Sequence, residues 1–178
     1  MLTHKPQIGR HTGRPGTLDT GKIPMTDPTF KTQIGALCWR LGKNGAEILL
    51  ISSRDTGRWV IPKGWAMQGR SGPEAAAIEA WEEAGVKGTI APAKLGAFTY
   101  DKIRKRDTKF ESAHPCVVDV FPLQVTKFAG EFPEQRQRRR KWFAPEHAAR
   151  KVAEAGLKSL LAAFKPPHAA PKGDDARA

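Results

Sequence analysis

Apolar and polar positions alternate in short blocks through the middle of the chain, and the blocks predict strands before anything else. Thr32 to Trp39 and Glu47 to Ser53 have strand patterning, with Gly42-Lys43-Asn44-Gly45 between them. The Asn-Gly step adopts hairpin-turn conformations at little cost, so the two runs are expected to pair. Trp59-Val60-Ile61 reads as a short apolar strand stopped by Pro62, and Arg140 to Phe143 as a last short one. Thr89 to Asp101 and Cys116 to Val125 are two further strand candidates. Pro122 cannot donate to a ladder, which predicts an edge or a bulge in the second of these.

The central helix is specified more tightly than any strand. Ser71-Gly72-Pro73-Glu74 has the spacing of a capping box, in which Ser71 accepts from the third helical amide and Glu74 reaches back. Gly85 supplies the stop. Ala76, Ala80 and Ala84 recur every four residues, a smooth stripe that lets the helix sit close on a sheet. Pro145 opens a second helical pattern that runs to Phe164 with an interruption at Gly156. Strands, helix, strands and helix predict an α+β or α/β arrangement, with a helix packed on a mixed sheet.

Residues 1–28 hold few large apolar side chains among four prolines and four glycines, so nothing there offsets the entropy of ordering. A flexible N-terminal tail is expected over 1–28, a folded domain over 29–165 and a flexible C-terminal tail over 166–178, where two prolines end the last helix. A length of 178 residues suits one domain. The longest apolar run, Leu160 to Phe164, falls far short of the roughly 18 residues that a membrane-spanning helix needs, so no membrane partner is expected. The N-terminus lacks the apolar core of a secretory signal, and Cys38 and Cys116 lie in apolar runs. Two reduced core thiols and a cytoplasmic location follow. The 30 Lys and Arg against 18 Asp and Glu leave a formal charge of +12, which points to anionic partners.

Candidate chemistry lies on the central helix. Glu79, Glu82 and Glu83 stand at i, i+3 and i+4 and project from neighbouring positions. On a solvated face such a cluster is unremarkable. On a shielded face two charges about 6 Å apart repel by roughly 3 kcal/mol at an effective dielectric of 20, and the cluster then calls for a divalent cation. Carboxylate oxygens suit magnesium or manganese.

The segment from Gly64 to Val86 resembles the Nudix box, G-x5-E-x7-R-E-U-x-E-E-x-G-U with U apolar. Gly64, Glu79, Ala80, Glu82, Glu83, Gly85 and Val86 match in register, while Arg70 stands in the slot of the first Glu and Ile78 in the slot of the Arg. The resemblance covers most of residues 30–164 and implies an α+β Nudix fold, a mixed sheet sandwiched between helices in three α/β/α layers. Within the family the chain looks most like the diphosphoinositol polyphosphate and diadenosine polyphosphate phosphohydrolases. The strings that suggest this are Leu50 to Arg54, Trp59 to Pro62, Glu82 to Gly88 and Arg139 to Phe143.

What the resemblance implies is hydrolysis of a phosphoanhydride bond with Mg2+ or Mn2+. The carbonyl of Gly64 and the carboxylates of Glu79 and Glu83 would hold the metal, Glu82 would be the base, and Glu79 is the second choice for that role. Ser52, Ser53 and Arg54 match substrate-contacting positions in similar enzymes, and Lys63 lies in the same segment as Gly64. Ten of the thirty cations fall in two clusters, Lys102 to Lys109 and Arg136 to Lys141. From these, Arg104, Lys105, Arg138 and Arg140 are expected to hold phosphates, arginine by bidentate contacts and lysine as a point charge. A polyphosphorylated small molecule or nucleotide is therefore the expected partner, ahead of RNA.

Two departures from the box set the alternatives. The family's Arg pairs with the neighbouring glutamates and fixes their rotamers, whereas Ile78 offers only packing, and loss of such support commonly costs about 10- to 100-fold in affinity or activity. An attenuated enzyme is one expectation. A weak or inactive Nudix-fold binding module for nucleotide or RNA ends is the second, and an RNA 5′-pyrophosphohydrolase is the third. Trp65 and Trp81 are expected to pack rather than stack on a base, and His114 to lie in a loop.

Overall fold

Strand alternation buries both faces of the sheet. In the computed structural model, which describes residues 30–104 and 112–167, β1 (Lys31–Gly42) and β2 (Gly45–Ser52) form the hairpin with Gly42 opposite Gly45. Gly45 lies at φ 113°, in the region that favours glycine. Ile34, Ala36, Cys38, Leu49 and Ile51 point to one face, and Leu37, Trp39, Ile48 and Leu50 to the other. With both faces apolar, each has to be covered by helices.

Helix α1 (Gly72–Ala84) covers the first face through Ala75, Ala76, Ala80 and Ala84, all buried. Its start is held by the capping box: the Ser71 amide donates to Glu74 Oε2 at 2.8 Å and the Glu74 amide to Ser71 Oγ at 3.4 Å. Gly85 closes it at φ 63°, with its amide donating to the Trp81 carbonyl at 2.9 Å. On the other face lie α2 (Pro145–Lys151) and α3 (Ala155–Ala162), whose Leu157 and Leu161 join Phe98, Leu50 and Trp39 in the second core. The layers are those of an α/β/α sandwich.

The remaining strands are β3 (Trp59–Val60), β4 (Lys63–Trp65), β5 (Val86–Ile90), β6 (Gly96–Arg104), β7 (Ser112–Phe128) and β8 (Arg140–Phe143). The sheet runs β3-β2-β1-β7-β5, with β4 on β1, β6 on β7 and β8 on β2. Among the described residues only the β1 and β7 pair is parallel. Strand β4, too short to show a pattern of its own, sets Gly64 opposite Ile34 and Lys63 opposite Gly35. Together β4 and α1 carry the box to the edge of β1.

Four expectations need correction. The run from Thr89 to Asp101 is two strands, parted where Pro92 interrupts the pattern. Pro122 sits in an interior strand rather than at an edge, and the bulge in β7 falls further on, at Thr126, where the register with β5 shifts. The proline is tolerated because β7 changes partners there: β6 reaches only Val120, β5 begins at Leu123, and the Pro122 carbonyl takes the Ala91 amide at 2.9 Å in the gap. His114 lies within β7 opposite Lys102, not in a loop. The last helical pattern breaks at residues 152–154, ahead of Gly156. Gly156 instead lets α3 approach β6, since an added Cβ would sit 2.8 Å from Phe98 Cβ.

The tail expected over 1–28 and most of that expected over 166–178 lie outside the described residues. No helix among the described residues is long and apolar enough to cross a membrane. Both cysteines are buried and free.

Because the capping box anchors the helix that carries the glutamates, Ser71→Ala is expected to lower the unfolding free energy by about 1 kcal/mol in a urea titration, with an unchanged m-value.

Candidate active site

Glu79 and Glu83 stand one turn apart on α1, each only 9% exposed, whereas Glu82 between them faces solvent. Helical rotation separates the adjacent pair: Glu82 and Glu83 lie about 100° apart around the axis, so the sheet covers Glu83 and leaves Glu82 on the flank. Glu83 is held at both oxygens. Oε2 accepts the Lys63 amide at 2.9 Å, and Oε1 accepts from Arg138. Glu79 lies against Gly64, where any side chain would overlap its carboxylate, so the box glycine is the residue that makes room for it.

Burial, reinforced by the charges of Glu83, Glu82 and Glu134, pushes the Glu79 carboxyl up to about 7. The Glu83 carboxyl is raised too, burial outweighing the Arg138 guanidinium, the Lys63 amide and the Lys63 charge. A carboxylate pair with raised affinity for protons holds negative charge that lacks sufficient counter-charge. Two carboxylates and the main-chain oxygen of Gly64 are also the hard donors that a divalent cation takes. The residues therefore fit such an ion. Among the described residues no three His, Cys, Asp or Glu side chains close on one point, and Glu82 is exposed.

The two departures from the box have different surroundings. Arg70 lies on the solvent side, 3.9 Å from Glu74. Ile78 lines a shallow groove with Ala77, Trp81, Lys87, Gly88 and Leu123, on the β5 side of the helix.

Of the residues expected at the substrate, Lys63 lies beside the glutamates, Arg54 reaches the neighbouring Glu134, and Lys102 acts on Lys63. Arg54 is 55% exposed and reaches Glu134 at 3.2 Å. Lys63 Nζ lies 5.0 Å from the centre of the Tyr100 ring, and burial, with the charges of Lys102 and Arg138 adding to it, lowers its pKa. Lys102 Nζ lies 4.6 Å from the Trp65 ring. Ser53 Oγ is 2.6 Å from Thr56 Oγ1. Strand β6 ends at Arg104, of which only the backbone is described, and Lys105 lies outside the described residues.

Ser52, Arg138 and Arg140 are committed inside the protein instead. Ser52 Oγ accepts the Arg139 amide at 2.9 Å, and its carbonyl accepts from Arg138 at 3.1 Å. Arg140 donates to the carbonyls of Ala84 at 2.8 Å and Ala129 at 2.9 Å, where a cation complements the C-terminus of α1. Strand pleating explains the split in this arginine run. Arg138 and Arg140 turn toward α1, while Arg139 turns toward Trp59, 5.6 Å from its ring.

Sequence reasoning missed Glu134. Its amide donates to the Glu82 carbonyl at 3.1 Å, its carboxylate pairs with Arg54 and Arg138, and its charge helps raise the carboxyls of Glu79 and Glu83. Its spacing of four from Arg138 was the only local signal.

The NUDIX domain family matches residues 31–164. The chain belongs to the Nudix hydrolase family. It is 33% identical over 143 residues to diphosphoinositol polyphosphate phosphohydrolase 3-alpha of Mus musculus, covering 79% of this chain and 74% of that one. Among solved structures, the C. elegans Ap4A hydrolase binary complex superposes with a TM-score of 0.54 at 23% identity, covering 74% of this chain and 93% of that one. The NUDIX domain of Shewanella oneidensis NrtR complexed with ADP ribose gives a TM-score of 0.53 at 15% identity, covering 79% and 90%. These two likenesses establish the fold, and the family match spans the segment Gly64–Val86 within residues 31–164.

A carboxyl raised to about 7 in the folded chain, from an ordinary 4.5, favours the fold while protonated. That contribution is complete below about 4.5 and is lost as pH rises through about 7. In metal-free buffer the melting temperature is expected to fall by several degrees more over that window in the parent than in Glu79→Gln, measured by calorimetry.

Proposed function

We propose that this Nudix protein is a metal-dependent pyrophosphohydrolase that cleaves a phosphoanhydride bond in diphosphoinositol polyphosphates or dinucleoside polyphosphates. The observation that carries the reading is the pair of shielded carboxylates, Glu79 set against Gly64 and Glu83 held by the Lys63 amide and Arg138. The names of the curated relative and of the C. elegans structure supply the two substrate classes.

Glu79, Glu83 and the Gly64 carbonyl would hold Mg2+ or Mn2+, the kind of divalent ion that Nudix hydrolases generally use. Such an ion, when bound, supplies Lewis acidity and screens charge on the phosphate chain. Glu82, exposed beside them, takes the proton of the attacking water, and Glu79, with its carboxyl near neutrality, is the alternative base. Arg54, Lys63 and Lys102 receive phosphate oxygens, and a formal charge of +12 suits a partner with many negative charges. Two buried free thiols suit work in the cytoplasm.

Ile78 favours one competing reading, a Nudix-fold binding module with little turnover. A panel of diphosphoinositol polyphosphate, dinucleoside polyphosphate, nucleoside triphosphate and capped RNA, assayed with and without Mg2+, separates the two. Metal-dependent release of phosphate or nucleotide is expected, and tight binding without release would establish the module. Glu82→Gln should lower kcat by about 100-fold with little effect on folding. Glu79→Gln and Glu83→Gln should each lower it by at least about tenfold, with raised metal demand. Equal turnover by all three variants and the parent would rule out this site.

A further inference from the structure

We propose that Arg138 is the positioning residue of this metal site, doing from the loop before β8 what Ile78 cannot do from the helix. The inference rests on the hydrolase reading above. The Arg138 side chain is only 5% exposed, and its three nitrogens reach three separate segments. Nε donates to Glu134 Oε2 at 2.7 Å, one terminal nitrogen donates to the Ser52 carbonyl at 3.1 Å, and the other donates to Glu83 Oε1.

The consequence for Glu83 follows from counting its oxygens. One is held by the Lys63 amide and the other by the guanidinium, so the carboxylate cannot rotate without breaking a bond at each end. Two carboxylates, Glu83 and Glu134, share the one fork, which offsets their mutual repulsion. The Ser52 carbonyl fixes the fork itself. If Arg138 swung out to grip a phosphate, both carboxylates would lose their cation in a shielded place, which argues against the substrate contact expected from the sequence. Ile78 is turned to the β5 groove, away from this network, and has no donor to offer.

Arg138→Lys tests the role because it keeps the charge and removes the fork. A second variant, Arg138→Leu, removes both. Deleting a cation near a metal site should by itself tighten Mn2+ binding, so weaker binding in both variants reports lost orientation and not lost charge. Mn2+ titration followed by electron paramagnetic resonance, without substrate, is expected to show the dissociation constant raised by about 10- to 100-fold in Arg138→Lys. With saturating metal, kcat should fall by at least about tenfold while KM moves less than about threefold, the split expected of positioning rather than substrate grip. Ile78→Arg in the parent should leave the Mn2+ constant within about twofold, because Glu83 is already held at both oxygens. Unchanged or tighter Mn2+ binding in Arg138→Lys, a rise confined to KM, or a large gain from Ile78→Arg would each overturn the proposal while leaving the hydrolase reading intact. A parent protein that binds no Mn2+ would overturn both.

Discussion

Everything at this site depends on keeping two carboxylates out of water without losing their charge. Isolated burial of an ionised carboxylate is strongly unfavourable, and the group responds by taking up a proton. For Glu83 a guanidinium and a main-chain amide work against that rise, while Glu79, opposed among the described residues by Lys63, is pushed up to about 7. The two glutamates are therefore unequal, although the helix presents them in the same way. The strand opposite has to leave space for one of them, and that requirement falls on Gly64.

The fold supplies the rigidity for this arrangement. Strand β1 meets β2 along its last residues and β4 along its first, both on one edge, while β7 runs parallel along the other. The Ala36 amide bridges the interval between β2 and β4 by donating to the Pro62 carbonyl at 2.9 Å. The segment carrying Lys63 and Gly64 is thereby fixed against the sheet from both ends. A helix with alanines on its buried side then sits close enough for its glutamates to meet that segment.

Much of this was legible in the residues, and what was not has identifiable causes. The hairpin and α1 are encoded locally, by Asn44-Gly45 and by Ser71, Glu74 and Gly85, and their chemistry appears within a few residues of the signal. The box located Glu79 and Glu83 on the same grounds. Pro122 misled because a local rule places proline at edges, whereas only the pairing of distant strands reveals the gap that accepts it. Gly156 misled because a glycine in a helix reads as a break when its reason is the approach of Phe98. Glu134 and Arg138 carry no periodic signal, and a run of arginines reads as a grip for phosphates. Extending the pleat of β8 back to residue 138 would have shown alternate arginines facing the helix.

The partners of the buried ion pair lie 55 residues apart, one from the central helix and the other from just before the last strand. Hairpin, β4 and α1 can all form from the first half of the domain, but Glu83 has no cation until the segment around Arg138 has docked. A nascent chain that has emerged from the ribosome only through β7 thus carries the complete box sequence and an unfinished pocket. The pair closes late, with the segment just before β8, and the same dependence means that loosening the β8 edge of the sheet would strip Glu83 of its cation while the capping box still holds the start of the helix that bears it.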